Sequence, residues 1–449
     1  RAIDTSWSQA HTLVWGDVDG DGRGELVAGK RYLGHDGNDP GEWDRLCIYW
    51  YQFDPAQKTW TRHTITDAGE AGLDLDPKLV DLDADGDLDL LAPGRSGLYW
   101  FENVPQESSD QPLVVACPAG VDHAQLLTFQ PSDEAKPQPV KTPADWARRR
   151  EQIVACVEQV MGRLPPPSRR VPLDVQILEE TDTPKYVRRK LSYASEPGDR
   201  VPAWLLVPKA EGRRPAMLCL HPTLNAGQDA PAADEVLPNL DYARELAELG
   251  YVCLVPLYPS FGEYAYDFEK SDYASGSMKA VWNNLRGVDL LESMAEVDGD
   301  RIGAIGHSLG GHNAIFTALF DARLHAVVSS CGFTAFHQYR QGNLAAWAKP
   351  RYMPRIASRY GNDPDRVPFD FCELVAAIAP RGFFANSPLA DDNFDVQGVR
   401  QTAAEAQPVY ELLGEPKRLK IVYPDGQHQF AAEQRREAYD WLAKELKRK

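Results

Sequence analysis

Residues 301–319, RIGAIGHSLGGHNAIFTAL, constrain this chain more than any other stretch. Ile302 to Ile305 form a short apolar run of the kind a buried strand needs. The run breaks at Gly306-His307-Ser308-Leu309-Gly310-Gly311 and resumes with helical spacing at Ala314, Ile315, Ala318 and Leu319. Glycines on both sides of one serine, between strand and helix, predict a sharp turn. Such a turn strains the backbone of Ser308 and lifts its hydroxyl above a sheet. The helix N-terminus behind it offers N–H groups to a developing oxyanion.

The pattern around this turn fits a layered sheet. Residues 173–178, 186–193 and 201–207 read as successive strands, and 216–220 as a short apolar one. A helix over 239–249, a strand over 251–255 and a helix over 277–296 lead into the turn. Strands over 326–329, 382–385 and 419–422 and a helix over 431–446 follow it. An antiparallel start followed by βαβ units predicts a mostly parallel sheet with helices on both faces. Residues 334–372 break the alternation and are expected to form a cap insertion.

A serine nucleophile needs a base. His428 follows the strand at 419–422 in the loop Tyr423-Pro-Asp-Gly-Gln-His428, where a glycine lets the imidazole swing over the turn. His307 is expected to pack under the turn, His312 to be structural, and His221 to orient the loop after the strand at 216–220. The base in turn needs a carboxylate, and the loop after 382–385 carries Asp391-Asp392-Asn-Phe-Asp395. Asp391 is the choice and Asp392 the alternate; Asp395 reads as a helix cap. The oxyanion hole is expected to use the N–H of Leu309 and a second donor from His221-Pro222-Thr223-Leu224. Pro222 has no N–H, so Thr223 or Leu224 must supply it. Trp282, Trp347, Tyr258, Phe261 and Tyr264 are candidate pocket aromatics.

The order Ser308, Asp391, His428, with the segments HPTLNAG, GHSLGGH, NSPLADDNF and YPDGQHQF, resembles the α/β-hydrolase superfamily. The nearest likeness is to the dienelactone hydrolase/acetyl xylan esterase-like carboxylesterases. The resemblance implies an α/β-hydrolase fold and ester cleavage through an acyl-enzyme, with a carbohydrate ester such as an acetylated polysaccharide as one substrate class. Dienelactone hydrolases carry Cys where this chain has Ser308, which favours ordinary esters. A serine peptidase of the prolyl oligopeptidase kind is the alternative, and a calcium-dependent adhesion protein with an inert hydrolase domain is a further one. Intact Ser, Asp and His count against inertness.

The first hundred residues differ in character. Asp17-Val-Asp19-Gly-Asp21-Gly-Arg23-Gly-Glu25 and Asp81-Leu-Asp83-Ala-Asp85-Gly-Asp87-Leu-Asp89 share the pattern D-x-D-x-D-G-x-x-[DE], 64 residues apart. Alternate carboxylates in a tight loop turn their oxygens toward one centre, the shell that Ca²⁺ prefers. Asp17, Asp19, Asp21 and Glu25 are expected to form one structural calcium site, and Asp81, Asp83, Asp85 and Asp89 another. The carbonyls of Arg23 and Asp87 would complete the two shells. The loops and the aromatic-rich runs after them resemble FG-GAP/VCBS repeats of β-propellers. That implies a partial, all-β propeller-like domain, too short to close a ring on its own.

The expected domains are residues 1–104 for the β-repeats, 105–144 for a Pro-rich linker and 145–449 for the catalytic domain, opening with a helix over 145–160. Of the net charge of −18, residues 1–111 hold 22 acidic against 9 basic side chains. That balance argues against nucleic acid as a partner. No run approaches the length of a membrane span. Cys219, Cys253 and Cys331 read as buried free thiols, and no spacing of the seven cysteines suggests zinc. An exported protein is expected, with its signal region absent from a chain that begins at Arg1. No cofactor is expected for the chemistry.

Overall fold

The computed structural model describes residues 2–19, 22–31, 41, 44–55, 58–67, 71–82, 87–94, 97–103, 117, 122–130, 136–233 and 239–447. The chain divides into two compact units, residues 1–113 and 114–449.

Among the described residues the first unit is all β. Strands β1 (Ala10–Gly16), β2 (Glu25–Lys30), β3 (Ile48–Asp54) and β4 (Thr59–Thr66) form an antiparallel sheet in chain order. β5 (Lys78–Val80), β6 (Asp89–Gly94) and β7 (Gly97–Phe101) form a second. Val27 and Ile48 from one sheet and Leu90 and Ala92 from the other share a small core. Each Asp-rich loop joins two neighbouring antiparallel strands, β1 to β2 and β5 to β6.

The second unit opens with β8 (Thr128–Phe129) and β9 (Gln138–Pro139), which pair with each other ahead of helix α1 (Pro143–Met161). Here the linker reading of 105–144 needs correction for the residues described. Leu126, Phe129 and Val140 are buried in the main core against α1, and Cys117 is disulfide-bonded to Cys156 on that helix. The prolines pointed to a solvated tether, but the apolar residues between them have a surface to cover. No spacing pattern in the sequence marks these two cysteines as a pair.

The main sheet contains β10 (Gln176–Asp182), β11 (Tyr186–Glu196), β12 (Asp199–Pro208), β13 (Arg214–Leu220), β14 (Val252–Pro256), β15 (Val297–His307), β16 (Leu324–Ser330), β17 (Gly382–Asn386) and β18 (Leu419–Val422). Their order is β10-β11-β12-β14-β13-β15-β16-β17-β18. The pairs from β10 to β14 are antiparallel and the rest parallel. The helices are α2 (Asp229–Ala232), α3 (Tyr242–Glu248), α4 (Gly276–Ser293), α5 (Leu309–Phe320), α6 (Arg355–Ser358), α7 (Phe371–Ile378), α8 (Val396–Leu412) and α9 (Ala432–Glu445).

Alternation along the strands sorts these helices onto two faces. On β13, Ala216, Leu218 and Leu220 join the core packed by α1, α4, α5, α7 and α8. Met217 and Cys219 join the core packed by α3 and α9. Strand segments covered on both sides must be apolar at every position, which is why residues 216–220 of β13, 302–305 of β15 and 326–328 of β16 read as unbroken apolar runs. The insertion after β16 consists of short turns and α6, and it buries Phe336, Tyr339, Trp347 and Phe369.

Candidate active site

Strand β15 ends at His307 and α5 begins at Leu309, so Ser308 is the only residue between them. Its backbone sits at φ 55 and ψ −116, a conformation L-residues avoid. Two contacts hold it there: Ser308 N–H donates to the Ser330 carbonyl at 2.8 Å, and Gly311 N–H donates to the Ser308 carbonyl at 2.9 Å. The glycines are required by close approach. A Cβ on Gly310 would lie 1.9 Å from the Leu220 carbonyl oxygen, and one on Gly306 would lie 2.2 Å from the carbonyl of Gly310.

The parallel strands bring the partners to the same end of the sheet. Asp391 follows β17 and His428 follows β18. His428 Nδ1 lies 3.0 Å from Oδ1 and 3.0 Å from Oδ2 of Asp391. Asp391 Oδ1 also accepts the N–H groups of Asn393 and Phe394, at 2.9 and 3.0 Å. Burial pushes the Asp391 carboxyl up, but the His428 contact and these two N–H bonds outweigh it, and the group stays ionised below the usual carboxylate range. Asp392, the alternate, is exposed. Asp395 caps α8, accepting the Gln397 N–H at 2.7 Å.

Ser308 and His428 line one cavity of about 310 Å³ together with Thr223, Leu224, His307 and Phe430. The ring of His307 lies 4.9 Å from that of His428, and its Nδ1 is 3.0 Å from Ser330 Oγ. Burial, aided by neighbouring His428, pushes His307 down to about 3, so it is neutral. Leu224 N–H is spent on the Pro222 carbonyl at 2.9 Å, which leaves Thr223 as the candidate second oxyanion donor beside Leu309 at the start of α5. His221 holds that loop. Its Nε2 accepts the Tyr258 N–H at 3.0 Å, so its Nδ1 carries the proton and donates to the Pro222 carbonyl at 2.8 Å.

The candidate pocket aromatics are mostly elsewhere. Trp282 donates to the Ser195 carbonyl, Tyr258 to the Arg351 carbonyl and Tyr264 to Asp199, all as buried structural groups. Trp347 packs on His312, with ring centroids 4.8 Å apart. Leu240, Asn239 and Phe430, which do line the cavity, carried no signal in the sequence.

The chain is similar to known esterases over much of the second unit. A family model described as fungal glucuronyl esterase matches residues 261–414, a span that holds Ser308 and Asp391. A Bacillus subtilis protein described as a hydrolase, YtaP, is 27% identical over 67% of this chain and 99% of its own length. The 4-O-methyl-glucuronoyl methylesterase of Hypocrea jecorina is 29% identical over 30% of this chain and 32% of that protein. The solved glucuronoyl esterase from Solibacter usitatus superposes with a TM-score of 0.54, at 21% identity, over 69% of this chain and 95% of that one. The chain is a serine ester hydrolase.

In the first unit of this hydrolase, oxygens of Asp17, Asp19 and Glu25 lie within 4.8 Å of one another. Asp17 Oδ1 is buried with no hydrogen-bond partner among the described residues. Glu25 Oε2 accepts the Val18 N–H at 2.9 Å. The second loop repeats this bond, with Asp89 Oδ2 accepting the Leu82 N–H at 3.0 Å. Asp89 Oδ1 takes the Asn103 N–H at 2.8 Å, and the Asn103 side chain donates to the carbonyls of Val18 and Leu88, tying the two loops together. Arg23 borders a shallow cavity with Glu25 and Gln52, Asp81 is exposed and Asp87 is half-buried. Asp21, Asp83 and Asp85 lie outside the described residues.

Proposed function

We propose that this hydrolase cleaves a carboxylic ester carried by a carbohydrate, through an acyl-enzyme on Ser308. Ser308 Oγ attacks the ester carbonyl while His428 Nε2 takes its proton, and Asp391 holds the proton on Nδ1 and stabilises the imidazolium that forms. The N–H groups of Leu309 and Thr223 receive the oxyanion. His428 then returns the proton to the departing alcohol, and water, activated by the same imidazole, clears the acyl group. The observation that carries this reading is the Asp391–His428 pair, bonded through Nδ1 and sharing a cavity with a strained Ser308.

The carbohydrate part rests on the likeness to glucuronoyl and other carbohydrate esterases. It is tested with p-nitrophenyl acetate, acetylated xylan, methyl glucuronate and Gly-Pro p-nitroanilide on wild type and Ser308→Ala. Turnover of a sugar ester that vanishes in the variant supports the reading. Cleavage of the amide in preference to every ester would move the chain to the peptidases.

For the first unit the proposal is a pair of propeller-type blades with structural calcium. The support is the antiparallel order of each sheet, the placement of the loops between paired strands, and the convergence of Asp17, Asp19 and Glu25 around an unpartnered buried carboxylate oxygen. The Cys117–Cys156 disulfide supports export to an oxidising compartment.

A further inference from the structure

Behind the Asp391–His428 pair stands a thiol that the ester chemistry does not use. Cys331 follows the last residue of β16 with φ +47, and it is 3% exposed. Its Sγ lies 3.5 Å from the carbonyl oxygen of Gln429, the residue after His428. Its backbone N–H donates to the Asn386 carbonyl at 2.8 Å, and the Asn386 side chain donates to the Gln429 carbonyl at 3.0 Å. The thiol is thus fixed in place against the loop that carries His428.

Cys331 Sγ, a ring nitrogen of His428 and a carboxylate oxygen of Asp391 all lie within 4.8 Å of one another. Ligands of a tetrahedral zinc ion, at about 2.0 to 2.3 Å from the metal, stand roughly 3.3 to 3.7 Å apart. The nitrogen–oxygen pair, at 3.0 Å, needs to open by only a few tenths of an ångström, and the sulphur to close by about an ångström at most. A thiolate, an imidazole and one carboxylate suit zinc or cobalt, not calcium or magnesium. Among the described residues the other close group of potential ligands, Asp17, Asp19 and Glu25, is all oxygen.

We infer that Cys331, Asp391 and His428 form a binding site for a thiophilic divalent cation, zinc foremost, and that its occupation reversibly switches the hydrolase off. The consequence follows from the two ring nitrogens. When His428 Nδ1 gives its lone pair to the metal, the single ring proton must sit on Nε2, and Nε2 no longer accepts the proton of Ser308. The Cys331 thiol releases one proton to solvent and Asp391 exchanges its hydrogen bond for a metal bond. Water takes the fourth position, so charge and protons balance. The way in is past His428, whose side chain is 26% exposed and borders the Ser308 cavity. Binding stands on the three ligands alone; inhibition rests on the reading of His428 as the base.

The test uses the full chain with cobalt and zinc. Titration with Co²⁺ is expected to give one near-ultraviolet sulphur-to-cobalt band, displaced by Zn²⁺ and missing in Cys331→Ala and Cys331→Ser. Zinc is expected to suppress p-nitrophenyl acetate turnover, with recovery on chelation. The Cys331 variants should turn over the ester and need roughly tenfold more zinc or beyond for the same loss. A band that persists in both variants, or none in wild type, overturns the site and leaves the ester mechanism standing. A Cys331-dependent band with undiminished turnover overturns the switch and the role of His428, leaving the site.

Discussion

Asp391 meets His428 through both carboxylate oxygens, each 3.0 Å from Nδ1, while the adjacent Asp392 faces solvent. Asp391→Asn is therefore expected to lower kcat by a few orders of magnitude, because an amide there favours the wrong tautomer. Asp392→Asn is expected to stay within about twofold of wild type, as surface changes usually do. Steady-state kinetics on one p-nitrophenyl ester decide the ranking, and a reversal would transfer the role to Asp392.

Ser308→Ala and His428→Ala should each cost several orders of magnitude in kcat, and the double variant little more than either alone, since such groups act as a unit. Additive losses in the double variant would mean that the two residues work independently. Circular dichroism on each protein separates loss of chemistry from loss of fold.

The turn itself depends on bare backbone. Gly310 packs against the end of β13, where a methyl group would meet the Leu220 carbonyl oxygen at 1.9 Å. Gly310→Ala is expected to destabilise the second unit by about 3 kcal/mol or more, the upper end of a core overpacking defect, or to prevent folding. Urea melts followed by tryptophan fluorescence measure it. An unchanged midpoint would show that α5 can move off the sheet without cost.

What could be read in advance followed from local patterning. The strained serine, the order of its partners and the parallel sheet all lie in short stretches whose glycines and apolar runs have one physical use. The choice of Asp391 over Asp392 was legible only as a preference, because it turns on the N–H groups of Asn393 and Phe394 that the loop folds back to offer. The packing of Leu126, Phe129 and Val140 was hidden by their proline-rich neighbours, and the Cys117–Cys156 bond by the sequence separation of 39 between its ends. The cavity wall is long-range. Asn239 and Phe430 come to Ser308 from loops whose sequences have no periodicity, so nothing local marked them.

The segment before α1 also predicts a pH dependence. His123 Nδ1 lies 2.8 Å from Glu373 Oε2, and Arg149 reaches the other oxygen of that carboxylate at 2.5 Å. Burial disfavours the charged ring, but the charge and hydrogen bond of Glu373 outweigh it and lift His123 to about 9. A raised folded-state pKa stabilises fully below the unfolded value near 6.5 and loses that contribution as pH rises through about 9. Urea melts of wild type and His123→Gln should differ most below about pH 6, on the order of 3 kcal/mol, and converge by about pH 10. A gap independent of pH would assign His123 to packing alone.

Calcium, finally, is expected to matter to the first unit and not to the chemistry. Asp17, Asp19 and Glu25 bring their oxygens within 4.8 Å of one another. Carboxylates that close repel, and a divalent cation removes the repulsion while joining β1 to β2. Asn103 links the carbonyls of Val18 and Leu88, so loosening the first loop should be felt in the second. EGTA is therefore expected to lower the melting transition of the first unit, with calcium restoring it, and Asp17→Asn should reproduce the shift without chelator. Ester turnover at 25 °C should be unchanged in all these conditions, because Ser308, Asp391 and His428 belong wholly to the second unit. Differential scanning calorimetry and p-nitrophenyl acetate assays on the full chain read the two quantities separately. A melt indifferent to EGTA would make the loops acidic turns held by Glu25 and Asp89 alone. Turnover lost with EGTA and regained with calcium would place the ion in the chemistry and undo the division between the two units.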